Sequence, residues 1–323
     1  MAAVPRVSII TPSFNQAAFL EETIQSVLSQ DYPNLEYWII DGGSTDGSVE
    51  IIQKYADRLA GWVSEKDHGQ AEAINKGFAR ATGDIVAWIN SDDYYLPGAI
   101  AAAVAVLQAR PECSLAFSDV LSVDGSGQAF NVMTFGPWGL DELMQFNIIA
   151  QPGVFMRRSA LEQAGYLDES YRYMLDHHLW LRVAQAGPLA YVPERWAAAR
   201  FHAAAKNVAQ AAGFGREAVR IAGWMADQPA LAERYHRLRR RIWAGAYRID
   251  GRYLLDGGQP GPALRAYLRS LGFYPPVALA ETRRILYAAA SLVFNVQGLR
   301  RSYVARRQRR VLGQPPEAGK GMR

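Results

Sequence analysis

One cysteine, Cys113, stands alone among 323 residues, so no disulfide forms within the chain and no thiolate cluster is available for zinc. A metal ion would have to sit on oxygen and imidazole ligands, and the near-absence of cysteine points to a reducing compartment. Long apolar runs are missing too. The stretch Ile285–Phe294 is well short of the roughly 20 residues that cross a bilayer. The opening Met-Ala-Ala-Val-Pro-Arg lacks the apolar core of a secretory signal, which gives a cytoplasmic expectation. No repeat recurs three times, which removes a solenoid. The segment Pro12-Ser13-Phe14-Asn15-Gln16 has neither glycine nor a basic residue, so it is not the basic glycine-rich loop with which nucleotidyltransferases cradle phosphates.

What is present is the composition of a soluble α/β protein: 50% hydrophobic, 20% charged and 11% aromatic residues, enough for one large domain and an appendage. The net charge of +4 hides a division. Residues 1–202 carry 13 basic against 24 acidic side chains, a net of −11, whereas residues 203–323 carry 22 against 7, a net of +15. The acidic part is a poor platform for nucleic acid, which binds through neutralised phosphates, although it can take a phosphate ester through a bridging cation. The basic part calls for an anionic partner.

Apolar runs at Arg6–Thr11, Leu35–Asp41, Gly61–Glu65, Asp84–Ile89 and Ser114–Val120 read as buried strands. Amphipathic stretches Gln16–Gln30, Ser48–Tyr55, Gln70–Ala81 and Pro97–Arg110 read as the helices between them. This alternation predicts right-handed crossovers and a mainly parallel sheet covered by helices. After Val120 the pattern loosens into hairpins and short helices, then a helix around Met174–Ala186 and a strand around Trp196–His202. From Lys206 the chain turns Ala- and Arg-rich and helical, broken at Gln228-Pro229, Gly257–Pro262 and Tyr274-Pro275-Pro276.

Ligands of such sheets gather at the carboxyl ends of the strands, where four polar loops follow the apolar runs. They begin at Thr11, Asp41, Asp67 and Asn90. Three contain carboxylates, whose mutual repulsion a bound cation relieves. In Asn90-Ser91-Asp92-Asp93, alternation puts Asn90 and Asp92 on one side of an extended segment, able to address one hard ion or a ribose. A turn that caps the next helix explains the same tetrapeptide without a ligand.

The ordered segments Val7–Asn15, Ile40–Gly47, Asp67–Gly77 and Ala81–Asp93 together resemble family-2 glycosyltransferases of the GT-A (nucleotide-diphospho-sugar transferase) fold, and among them the bacterial enzymes that build surface polysaccharides. The resemblance covers about the first two hundred residues. It implies a catalytic domain over 1–205, with a nucleotide-sugar half over about 1–95 and an acceptor half over about 96–205, followed by a basic helical region over 206–323.

Carried onto this sequence, the resemblance makes Thr11, Pro12 and Phe14 the first walls of the nucleotide site, Asp41 the partner of the base, and Asp67 a further carboxylate of that site. Asp41 could accept the imide N–H of uracil or thymine, which favours a UDP-sugar or dTDP-sugar donor, or it could simply build an Asx turn. Asn90 departs from the usual Asp-x-Asp, so Asp92 becomes the main ligand of the divalent cation, Mn2+ or Mg2+, with Asn90 and Ser91 on the donor side. In Met174–Arg182, Asp176 stands at the position of the base that deprotonates the acceptor of an inverting transfer, while Leu175 replaces the acidic residue usual before it. Trp180, one helical turn on, and Arg182 fall to the acceptor side, as does Gln151. His202 is placed as a metal ligand. His177 and His178, about 100° apart on a helix, would not share one ion.

The segment 279–310 combines the short apolar run with Arg300, Arg301, Arg306, Arg307, Arg309 and Arg310. Either it lies in the headgroup region of an anionic membrane, as a peripheral enzyme with a lipid-linked acceptor would, or it packs on the acidic catalytic domain. The reading is therefore a metal-dependent transferase acting from a nucleotide-diphosphate sugar onto a glycan or lipid-linked acceptor, with no nucleic acid partner. Its rivals are a sugar nucleotidyltransferase, which the first loop disfavours, and a non-catalytic nucleotide-sugar-binding module, which Asn90 and Leu175 favour.

Overall fold

Parallel pairing starts from strand β1 (Val7–Ser13), all seven of whose residues are buried, because it lies between β2 (Leu35–Asp41) and β4 (Ile85–Trp88) with helices over the sheet faces. The computed structural model describes residues 4–202 and 211–293. These form two compact units: residues 4–121, 132–143 and 147–199 in the first, and 122–131, 144–146, 200–202 and 211–293 in the second.

In the first unit the strands alternate with α1 (Ala17–Leu28), α2 (Ser48–Lys54), β3 (Gly61–Ser64) and α3 (Gln70–Phe78), as the apolar periodicity predicts. Its core gathers Val7, Ile9, Leu20, Ile24, Ile39 and Ile85 with α4 residues Ile100 and Leu107, where α4 spans Ala99–Ala109. Each such side chain contributes about 1.5–3 kcal/mol by leaving water. Gly77 of α3 sits so close to Ile10 that a Cβ would overlap its side chain, which fixes that helix directly over β1.

The sheet order is β3-β2-β1-β4-β8-β6-β9-β5, with β7 (Ala129–Met133) paired to β6 (Leu115–Asp124). It is parallel from β3 to β4. At β8 (Val154–Arg157) it turns antiparallel, as is the pair of β5 (Tyr94–Tyr95) with β9 (Leu189–Phe201). The mainly parallel expectation thus describes the first four strands. Beyond them β8 pairs antiparallel with both β4 and β6, strands that are not its neighbours in sequence. Helices α5 (Leu140–Met144), α6 (Arg158–Ala164) and α7 (Leu175–Val183) belong to this later half.

The second unit is built on α8 (Ala211–Ala226), α9 (Ala232–Asp256), α10 (Pro260–Phe273), α11 (Pro275–Leu279) and α12 (Thr282–Val293). Prolines open α10 and α11 where their missing N–H costs nothing. Tyr267 is buried against Gly251, whose missing Cβ would lie 3.0 Å from the ring. Among the described residues no helix is long and apolar enough to cross a membrane. Arg300, Arg301, Arg306, Arg307, Arg309 and Arg310 lie outside the described residues.

Candidate active site

Register places Ser13 beside Asp41 and Asp41 beside Ser64, so three strand ends meet at one edge of the first unit. Asp41 is fully buried there. Its carboxylate accepts from the Gly43 N–H at 3.0 Å, the Ser44 N–H at 2.9 Å, the Ser44 hydroxyl at 2.5 Å and the Ser64 hydroxyl at 2.7 Å. Four donors match the lone-pair sites of a carboxylate. Of the two roles the sequence allows Asp41, the structure displays the Asx turn.

The Thr11 side chain is buried and shares a hydrogen bond of 2.9 Å with the Tyr37 hydroxyl across β1 and β2. Pro12 is buried as well, whereas Phe14 is 59% exposed where β1 ends. The next residue, Asn15, takes a left-handed φ of 52°. Its N–H donates to the Ser44 hydroxyl at 2.8 Å and its amide oxygen accepts from the Thr45 N–H at 2.9 Å, clipping the first loop to the second. Asp46 then accepts from the Ala17 N–H at 2.9 Å and caps α1. Burial acts to raise the Asp46 carboxyl, but hydrogen bonds from Ser48 and Ala17 outweigh it and hold it below the usual range.

Asp67 is the half-buried carboxylate of this edge. It rests on Gly42, where a Cβ would lie 2.7 Å from its Oδ2, and accepts from the Gly69 N–H at 2.9 Å. Burial pushes its carboxyl up, and the charges of Glu72 and Asp41 push the same way. Glu72 in the first turn of α3 reaches back to the His68 N–H at 2.7 Å and pairs with Lys76 at 2.9 Å. The Lys76 bond and the His68 bonds hold its carboxyl at about 2.

The loop after β4 is organised by Asn90. Its Oδ1 accepts from Gln70 Nε2 at 2.6 Å, and its Nδ2 donates to Asp93 Oδ2 at 3.1 Å and Gln151 Oε1 at 3.2 Å. Gln151 Nε2 in turn donates to the Trp88 carbonyl at 2.6 Å. Both amides are engaged in this network, through which Gln151, the acceptor-side candidate, supports the loop from beneath. The same network explains the departure from Asp-x-Asp, since an aspartate at position 90 would have no N–H for Asp93.

Ser91 and Asp93 are buried, and the Asp93 carbonyl accepts from the Thr23 hydroxyl at 2.7 Å. Asp92 is half-buried and the most open carboxylate of the loop. Among the described residues no three His, Cys, Asp or Glu side chains are grouped to hold a metal ion. This donor set fits an ion that takes Asp92 as a single carboxylate and the rest of its ligands from substrate phosphate and water, as Mg2+ and Mn2+ sites do.

Asp176 lies in the first turn of α7, half-buried, with its carboxylate accepting the His177 N–H at 2.7 Å. One turn later Trp180 is fully buried and stacked on Trp88, ring centroids 5.1 Å apart. Helical side chains lean back toward the N-terminus, so this ring covers the turn that carries Asp176. Trp88 precedes Asn90 by two residues, and the stack therefore joins the strand end bearing the Asp92 loop to the helix start bearing Asp176.

The structure places the two further acceptor-side candidates, Trp180 and Arg182, inside the packing of α7. Trp180 has no exposed face to offer a substrate. Arg182 donates to the carbonyls of Ala164 and Tyr166, each at 2.6 Å, and burial pushes its guanidinium down; it fastens the end of α6 to α7. Asn75 of α3, which the sequence reading passed over, holds the next residue from the other side: it accepts from the Leu167 N–H and donates to the Leu167 carbonyl, both at 3.0 Å. An asparagine inside a short helix is a poor helix former, and that was the available signal of a tertiary partner.

His177 is fully buried, and burial pushes its imidazole down to about 4. The His178 ring lies 4.4 Å from Tyr171. His202 is buried in the second unit together with Arg200, whose guanidinium donates to the Asp124 and Gly125 carbonyls at 3.3 Å each.

Comparison with known proteins gives a consistent result. The family model described as glycosyl transferase family 2 matches residues 8–162. TuaG of Bacillus subtilis, named as a teichuronic acid biosynthesis glycosyltransferase, is 32% identical over 193 residues, 58% of this chain and 75% of its own. The O-antigen biosynthesis protein RfbC of Myxococcus xanthus is 29% identical over 222 residues, 65% of this chain and 17% of that much longer one. Among solved structures, S. aureus TarS 1-349 in complex with UDP-GlcNAc superposes with a TM-score of 0.59 at 16% identity, covering 86% of this chain and 92% of that one. The mannosyltransferase PcManGT from Pyrobaculum calidifontis, in complex with GDP-Man and Mn2+, gives 0.57 at 22% identity over 92% and 88%. At these identities the two structures establish the fold.

Proposed function

This chain belongs to glycosyl transferase family 2, and we propose on that premise that it transfers the sugar of a UDP-sugar or dTDP-sugar, with inversion at the anomeric carbon, onto a glycan or lipid-linked acceptor at the inner face of the plasma membrane. Membership makes it a glycosyltransferase, and its relatives' names support a role in surface glycan synthesis. The UDP-GlcNAc complex of a fold neighbour supports a uridine donor.

Phe14, Asp67 and Asp92 are the donor-side groups in this reading, with Asp41 and Asn90 holding their loops in shape. Asp176 takes the acceptor proton. The acceptor oxygen attacks the anomeric carbon as the bond from that carbon to the diphosphate oxygen breaks. The hydroxyl proton passes to the Asp176 carboxylate, and the nucleoside diphosphate leaves. A bound Mn2+ or Mg2+ supplies neutralisation of the departing diphosphate.

The observation that carries the reading is the stack of Trp180 on Trp88, which links the Asp176 helix to the Asp92 loop. Turnover of a panel of UDP- and dTDP-sugars with Mn2+ tests it. Asp176→Asn should bind UDP with Mn2+ as the unaltered protein does while turnover falls about 100- to 10,000-fold. Asp92→Asn should lose the effect of Mn2+ on UDP binding. Unchanged turnover in Asp176→Asn removes the assigned base.

A further inference from the structure

We propose that the helical unit presents a cationic, leucine-bearing face that binds the surface of an anionic phospholipid bilayer. This deepens and rests on the membrane location proposed above, and does not depend on the donor, acceptor or base assigned there.

In α9 the apolar residues Tyr235, Leu238 and Ile242 recur at helical spacing and are buried. The positions between them carry Arg234, Arg237, Arg239, Arg240 and Arg241, all exposed. Contacts tie this run to the junction of α10 and α11. Arg240 Nε donates to the Phe273 carbonyl at 2.8 Å, and the Arg241 guanidinium lies over the Tyr274 ring at 5.0 Å. From α10, Arg269 lies over Tyr247 of α9 at 5.5 Å.

The three helices α10, α11 and α12 each expose a large apolar side chain. Leu268 is 55% exposed, Leu279 56% and Leu286 64%. Exposed Arg265, Arg269 and Arg283 are interleaved with them. Between residues 257 and 293 the only carboxylate is Glu281, which is buried and paired with Arg252 and with Arg284. The arginines of this stretch therefore meet no exposed acidic side chain from it.

Arginine alone would suit any polyanion, including an acidic glycan or a nucleic acid. The leucines separate these cases. An interfacial helix pushes apolar side chains into the acyl boundary while its arginines hold lipid phosphates, whereas a soluble polyanion leaves the leucines in water. With no described helix able to span, the unit would lie on the membrane, not in it.

Co-sedimentation of the full chain with vesicles of phosphatidylcholine, alone or mixed with phosphatidylglycerol, tests this, with dextran sulfate as a soluble polyanion competitor. Binding is expected to the mixed vesicles and not to phosphatidylcholine alone. Arg239→Gln, Arg265→Gln and Arg283→Gln combined should weaken it about a hundredfold. The discriminating variant combines Leu268→Ser, Leu279→Ser and Leu286→Ser, which keeps every charge, including those at 300–310, and should weaken binding at least about tenfold. Circular dichroism checks that each variant folds. As a measurement that does not need the triple variant, L279W should show tryptophan quenching by brominated acyl chains beyond that of the unaltered chain. Absence of binding to the mixed vesicles overturns the proposal. Retention of full binding by the leucine variant, or no added quenching in L279W, also overturns it and leaves a surface for polyanions only.

Discussion

Trp180 of α7 lies nearly parallel to Trp88 of β4, with 26° between the ring planes and 5.1 Å between centroids. Both rings are buried, and Phe78 of α3 meets the edge of Trp88 at 5.9 Å. Two aromatic contacts thus tie β4 and α3 to α7, whose first turn carries Asp176. Truncation by Trp180→Ala should cost about 3–5 kcal/mol in urea unfolding. Trp180→Phe, which keeps an aromatic face against Trp88, should cost less and retain turnover.

Asn90 spends both of its amide hydrogens, one of them on the Asp93 carboxylate. Restoring the family's usual aspartate by Asn90→Asp removes that donor and sets two carboxylates against each other. Without metal the variant should lose about 1–3 kcal/mol of stability. With Mn2+ it should regain more than the unaltered protein gains, because the ion relieves the new repulsion. Thermal unfolding with and without Mn2+ measures both. Equal Mn2+ shifts in the two proteins would mean that position 90 does not face the ion.

Arg182 and Asn75 hold adjoining residues of the corner at 164–167 from two different helices. Tyr166 within it has a φ of 60°, a left-handed conformation that a bulky residue adopts only when its surroundings enforce it. Arg182→Met should strand two carbonyls and cost about 1–3 kcal/mol. Because both clamps act on one corner, the double variant with Asn75→Leu should depart from additivity by more than about 0.5 kcal/mol. A double-mutant cycle from denaturant unfolding reads the difference.

The strand ends were legible because buried parallel strands announce themselves as apolar runs followed by polar loops. Leu35–Asp41 is a strand over the range its apolar run predicts. What pattern does not carry is the partner of a polar side chain. Gln151 and Arg182 look like ligand-binding residues from their chemistry, yet their bonds go to carbonyls and an amide of the chain itself, dozens of residues away in the cases of Trp88 and Asn90. Trp180 shares a helical face with Asp176, but only its contact with Trp88 shows that this face is core. Strand direction past β4 was hidden for a similar reason, since β8 pairs with strands that are not its neighbours in sequence.

His177 gives the fold a dependence on acid that is separate from the carboxylates. In the folded chain burial pushes its imidazole down to about 4, from an ordinary 6.5. As pH falls below 6.5 the unfolded chain takes up a proton that the folded chain refuses, so the unfolded state gains. The stability that the neutral imidazole provides is complete above pH 6.5 and is lost progressively until the folded group itself titrates near 4. The full loss is on the order of 3 kcal/mol. His177→Gln keeps a polar side chain at this position and cannot titrate. Urea unfolding between pH 7 and pH 4.5 should therefore show a shallower decline in His177→Gln than in the unaltered protein, with the two curves converging toward acid. Parallel curves would mean that the imidazole takes up its proton alike in the folded and unfolded chains.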